Sequence, residues 1–192
     1  PRCSQASQWW LPPPATAGFL PPENGTGRGQ GYVKLGVRPK SNLPIGTAIT
    51  NGFKLAVNER GGKLGGRELE YFTVDDEAEP SKAPENTNKL VQRDKVDVLV
   101  GTVHSGVQMG MVKIAKETNT LMIIPNAGLD AATGALCAPN IFRTSFTNWQ
   151  PAYPMGKVLA DRGIKKAVTL TWKYGAGEEA IEGFKEGFTK AG

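Results

Sequence analysis

Two short polar loops, His104-Ser105-Gly106 and Asn126-Ala127-Gly128, are where residue type and position in this chain combine into chemistry. Each ends a continuous apolar run: residues 98–106 read VLVGTVHSG and residues 121–128 read LMIIPNAG. Apolar runs of that length, bounded by Gly and Ser, fit parallel strands buried on both faces, and an open α/β sheet binds its ligand at strand ends. A helical pattern begins at Ser105, so the backbone N–H groups there, together with the Ser105 hydroxyl, suit a carboxylate or a phosphate. Asn126 and the Gly128 amide offer a second pair of donors. The competing, purely local reading is that Ser105 caps its own helix. His104 is the single histidine. It reads either as a hydrogen-bonded wall residue or as a general base, and no Ser/Asp or Cys partner set accompanies it.

Other constellations carry less. Asp75-Asp76 follows a strand pattern, but adjacent carboxylates on a strand point to opposite faces, so helix entry and solvation are the expected roles. The segment Gly61-Gly62-Lys63-Leu64-Gly65-Gly66 lacks the spacing of a phosphate loop and reads as a turn. Cys3 and Cys137 are far apart in sequence, a poor disulfide signal, and with one histidine no Cys/His zinc site can be assembled, so no metal and no cofactor is expected. The net charge of +5 is concentrated at the start. Residues 1–40 hold five basic residues against Glu23, four of the five net charges. With no basic stripe through the rest, nucleic acid is not an expected partner.

The elements that must position the two loops alternate in type. Residues 1–31 are Pro/Gly-rich, with no periodic apolar face, and read as a disordered or non-native tail without a secretory h-region. From Tyr32 the pattern gives a first strand at 32–37, a helix at 47–60 stopped by Gly61-Gly62, and a strand at 67–74. A helix follows at 81–93, with Pro84 tolerable in its first turn, then a strand at 96–100, a helix at 105–116 and a strand at 121–124. After an irregular stretch to Asn140 come an extended segment at 141–146, a helix at 150–162, a strand at 166–172 and a helix at 178–190. Alternating strands and helices imply right-handed crossovers and a doubly wound α/β fold with a mostly parallel sheet. The long interruption at 129–140 places a lobe boundary near 144–148, with 32–145 as lobe 1 and 146–192 as the start of lobe 2. Trp149 and Tyr174 fall at loop ends in that second part, where an aromatic either packs in the core or walls an apolar pocket.

From Gly46 onward the chain resembles the branched-chain amino acid type of ABC-transporter substrate-binding proteins, the type I periplasmic binding fold. The segments GTAITNGFKLAVNERGG, KLVQRDKVDVLVGTVHSGV, LMIIPNAGLDAATG, LCAPNIFRTSFTNWQP and KKAVTLTWKYGAGEEAIEGFKEGF fall in that family's order and spacing, over about three quarters of the chain. The resemblance implies two α/β lobes that close on a small carboxylate-bearing solute without catalysis, an ABC permease as membrane partner, and a periplasmic or extracellular location. Carried over by position, Ser105 with His104 and Gly106 matches the first-lobe carboxylate contacts, and the loop of Asn126, Ala127 and Gly128 the second. Ala176 stands where the family often has a tyrosine, and Tyr174 lies two residues earlier. A branched-chain amino acid and a small aromatic carboxylate both remain open as ligands, and a ligand-sensing domain on the same fold is the alternative function. The family's first strand should precede Gly46, where the residues match nothing of the pattern. At the other end the chain reads as a fragment that stops early in lobe 2.

Overall fold

The computed structural model describes residues 32–38 and 44–192. The expected tail at 1–31 lies outside the described residues. Strand β1 (Tyr32–Arg38) is followed by α1 (Pro44–Asn58), β2 (Lys63–Leu64) and β3 (Arg67–Thr73). A 3-10 turn at Pro80–Lys82 leads into α2 (Ala83–Asn88), which runs on as a π-helical turn through Lys89–Arg93. Then come β4 (Val98–Gly101), α3 (Ser105–Glu117), β5 (Leu121–Ile124), α4 (Asp130–Thr133), β6 (Ile141–Arg143), α5 (Trp149–Asp161) and α6 (Gly175–Ala191).

The sheet order is β2-β3-β1-β4-β5-β6, with β1, β3, β4, β5 and β6 parallel and β2 antiparallel to β3. The five parallel strands thus have the order 2-1-3-4-5, whose direction reverses at β1 and places the ligand crevice beyond the strand ends near it. The first strand sits at the centre of the sheet although its residues lie outside the resemblance. Leu35 pairs with Tyr71 on one side and Val98 on the other. Gly36 lets β1 lie close under the π-helical turn: a Cβ there would stand 3.2 Å from the Leu99 and Val96 side chains and 3.3 Å from Leu90.

Burial on both faces explains the continuous apolar run of β4, whereas β5 is buried at Met122 and Ile124 and more open at Leu121 and Ile123. Leu99, Met122, Ile124 and Ile141 pack under Leu90 of the π-helical turn and under Val107, Met111 and Ala115 of α3. On the opposite face Val100 packs with Phe53 of α1, Leu69, Tyr71 and Ile123. Pro84 falls in the first turn of α2, where its missing N–H costs nothing.

Three expectations are corrected. The stretch 61–66 is more than a turn: Gly61 and Gly62 stop α1 at φ of 76° and 75°, but Lys63 and Leu64 pair with β3. Gly65 and Gly66, at φ of 55° and 80°, then supply the two left-handed residues of a tight hairpin. Asp76 is buried rather than solvated; it accepts from the Ala78 amide at 3.0 Å and bonds the Thr102 hydroxyl, tying the end of β3 to the end of β4. Residues 166–172 form no strand. Val168 and Leu170 are each 98 % exposed and Trp172 85 %, because a strand needs a neighbour to take up its N–H and C=O groups and none of the described residues provides one.

Helices α5 and α6 pack backbone to backbone through small residues. A Cβ on Gly187 would lie 2.0 Å from the Tyr153 carbonyl oxygen, and one on Gly156 2.1 Å from that of Phe184. Helix propensity alone favours Gly→Ala by about 1 kcal/mol. Overpacking against a rigid carbonyl costs about 1–3 kcal/mol, so Gly187→Ala should destabilise on balance, read as a lower midpoint in thermal melting.

Candidate functional site

The β4–α3 loop reveals which residue caps α3. His104, with extended backbone at φ −85° and ψ 121°, is the N-cap: its Nδ1 accepts from Gly106 N–H at 3.1 Å and Val107 N–H at 3.4 Å. Gly106 lets the imidazole fold back, since a Cβ there would meet His104 Cε1 at 2.9 Å. Ser105 is therefore the first helical residue, not the cap. With Nδ1 accepting, the tautomer this network assigns carries its proton on Nε2, and the ring has no free lone pair with which to act as a base. Ser105 is 2 % exposed, its N–H is one of the helix-start donors with no intrahelical acceptor, and its hydroxyl proton has no acceptor among the described residues.

The β5–α4 loop is locked against this first loop. Ala127 N–H donates to Thr102 O at 2.9 Å, and the Ser145 hydroxyl donates to Asn126 O at 3.3 Å. Arg143, at the end of β6, reaches under the loop. Its Nη1 donates to Ala127 O at 3.3 Å and Leu129 O at 2.9 Å, and its Nη2 to the Thr133 hydroxyl. Burial lowers the pKa of this guanidinium from its ordinary value, and the nearby Asp130 and Glu179 carboxylates work the other way.

Two residues that sequence reasoning did not place in the site join the loops. Asn148 lies just before α5; its N–H donates to Gly128 O at 2.8 Å, and its Nδ2 donates both to Ser105 Oγ at 3.1 Å and to Glu179 Oε2 at 2.6 Å. Glu179, in the first turns of α6, also accepts the Asp130 N–H at 3.0 Å on Oε1. Burial pushes the Glu179 carboxyl up, and the Asn148 and Asp130 hydrogen bonds pull it partway back. In the Asn-Trp-Gln-Pro segment only the tryptophan stands out by residue type, and Glu179 is one of an ordinary Glu-Glu pair on a helix. No local signal marks either.

The two aromatic candidates part company. The Tyr174 ring lies 5.3 Å from the His104 ring, so the start of α6 meets the start of α3 beside Ser105. The Trp149 ring instead stacks on Tyr153 at 4.5 Å and its Nε1 donates to Glu186 at 2.8 Å, which places it between α5 and α6. Its backbone N–H reaches toward the loops, donating to Asp130 Oδ1 at 3.3 Å. Among the described residues no three His, Cys, Asp or Glu side chains are grouped to hold a metal ion.

Comparison with known proteins finds relatives over most of the chain. The family model described as periplasmic binding protein matches residues 41–192. Leu/Ile/Val-binding protein homolog 6 of Brucella abortus is 32% identical over 165 residues, covering 83% of this chain and 42% of the relative. A solute-binding protein of an ABC transporter from R. palustris, solved in complex with benzoate, is 53% identical with a TM-score of 0.77, covering 85% of this chain and 46% of that one. A second, from Rhodopseudomonas palustris BisB5 in complex with 3,4-dihydroxybenzoic acid, is 30% identical with a TM-score of 0.75, covering 85% and 45%. The chain thus spans less than half the length of these relatives.

Proposed function

The chain belongs to the periplasmic binding protein family, and from that premise we infer that it forms part of the solute-binding component of an ABC uptake system, holding a small aromatic carboxylate between two lobes. The observation that carries this reading is the buried Ser105, whose N–H and hydroxyl proton lack acceptors among the described residues at the start of α3. A carboxylate oxygen would satisfy both, helped by the partial positive charge of the helix start. The Gly128 N–H on the adjoining loop is a further donor without an acceptor among the described residues. Tyr174 and His104 supply apolar ring surface beside them. Trp149 serves the second lobe's packing in this reading rather than the ligand.

An aromatic acid is favoured over a branched-chain amino acid by the sequence comparison. The benzoate-complexed relative is much more similar in sequence than the Leu/Ile/Val-binding homologue. Because Ser105 is shut from solvent, entry requires the start of α6 to swing away from the start of α3, with 144–148 as the boundary between lobes and hinge closure as the binding event. The protein acts outside the cytoplasmic membrane, hands its solute to a permease and performs no chemistry on it.

Calorimetric titration of the natural protein, with whatever residues flank this chain, tests the reading. Benzoate should bind, leucine should not, and Ser105→Ala should weaken benzoate by about tenfold, the worth of one hydrogen bond to a charged group. A protein that takes leucine and ignores benzoate would overturn the ligand assignment.

A further inference from the structure

Asn148 and Glu179 stand one step behind Ser105, and we propose that they form a positioning relay that fixes the Ser105 hydroxyl as a proton donor toward the ligand. This rests on the reading of Ser105 as a carboxylate contact. The direction of the Ser105 proton follows from the orientation of the Asn148 amide. The two ends of a carboxamide are alike in shape, so its partners must decide which is which. An ionised carboxylate only accepts, and Glu179 Oε2 lies 2.6 Å from one end of the amide, which is therefore the NH2 group. That same nitrogen lies 3.1 Å from Ser105 Oγ and has a second hydrogen to give it. Ser105 thus accepts from Asn148, and its own proton points elsewhere.

With the amide turned over, Oδ1 would take the Ser105 proton and the hydroxyl would present only lone pairs to an anion. Glu179 prevents this, and is itself held by the Asp130 N–H on its other oxygen. The Asn148 backbone is pinned by its bond to Gly128 O, so only the side-chain amide has freedom to turn. Glu179 bonds only to protein groups in this arrangement. It is a positioning residue that selects an acceptor ligand through two other side chains.

The test compares benzoate with benzamide, whose NH2 group an inward-turned Ser105 can still accept from. Isothermal titration of the natural protein is made with Ser105→Ala, Glu179→Gln, Glu179→Ala and the double variant Ser105→Ala/Glu179→Gln. In Glu179→Gln one of the two oxygens becomes an NH2 group, which cannot accept, so Asn148 or Asp130 loses its acceptor, and Glu179→Ala removes both. Each Glu179 variant should weaken benzoate by about tenfold and shrink the preference over benzamide, and the double variant should bind no worse than Ser105→Ala alone. Wild-type affinity in both Glu179 variants, or losses that add to that of Ser105→Ala, would overturn the relay and leave the Ser105 contact standing. Wild-type affinity in Ser105→Ala would overturn both. A ligand-free measurement separates the two ideas further: in 15N-labelled protein one Asn148 side-chain amide proton should be shifted downfield and lose that shift in Glu179→Ala. An unchanged Asn148 signal there overturns the relay whatever the ligand does.

Discussion

Replacing Arg143 with Met should cost about 3 kcal/mol of stability, the sum expected when two buried acceptors lose a charge-assisted partner at about 1–3 kcal/mol each. The side chain donates to the carbonyls of Ala127 and Leu129, both fully enclosed, and to the Thr133 hydroxyl. Methionine retains most of the apolar stem, so packing changes little and the loss reports the polar contacts. Lysine keeps the charge but not the planar fork that reaches three acceptors from one position, and Arg143→Lys should recover less than half of the loss. Denaturant unfolding would read the effect as a lower midpoint at unchanged slope. Since the freed carbonyls belong to the loop that carries Gly128, benzoate affinity should fall with stability. A variant with wild-type stability would show that the loop is held by its bonds to Thr102, Ser145 and Asn148 without Arg143.

How much of this was legible from sequence depends on the range over which each feature is decided. Strands β4 and β5 were readable because both are unbroken apolar runs, which double-sided burial accounts for in β4, and the loops that follow were readable because a strand end in a parallel sheet has few fates. Strand β1 was readable too, by composition, although its position at the centre of the sheet was not. The run at 166–172 has the right alternation and forms no strand, since pairing is a property of neighbours and not of the segment. Serine ranks high as an N-cap and histidine does not, yet His104 caps α3, because one residue's backbone angles and ring nitrogen outweigh the average preference. Glu179 was invisible for a plainer reason. Its partners Asn148 and Asp130 are 31 and 49 residues away, beyond any local pattern.

Gly128→Ala should have the largest effect on ligand binding of any single methyl added to this protein. The Cβ would stand 2.2 Å from Asn148 Oδ1 and 2.9 Å from its backbone N, closer than real atoms approach. Neither neighbour can yield cheaply: the backbone is bonded to Gly128 O, and the side-chain amide is held by Ser105 and Glu179. The backbone of Gly128 itself is not left-handed, so alanine meets no torsional penalty and the cost is contact alone. Asn148 must leave Ser105, and benzoate affinity should fall by more than tenfold, with a stability loss of about 1–3 kcal/mol from overpacking. Gly52→Ala on α1 is the matching control, since its Cβ meets nothing within 4 Å and alanine there should stabilise by about 0.5–1 kcal/mol. Trimming the obstacle decides the cause. In an Asn148→Gly background the contacts with the side chain go and the one with the backbone N stays, so Gly128→Ala should lose part of its stability cost, a coupling that a double-mutant cycle would register. If the cost were the same in both backgrounds, the methyl group would be held off by the Asn148 backbone alone, and the side-chain amide would not be the obstacle.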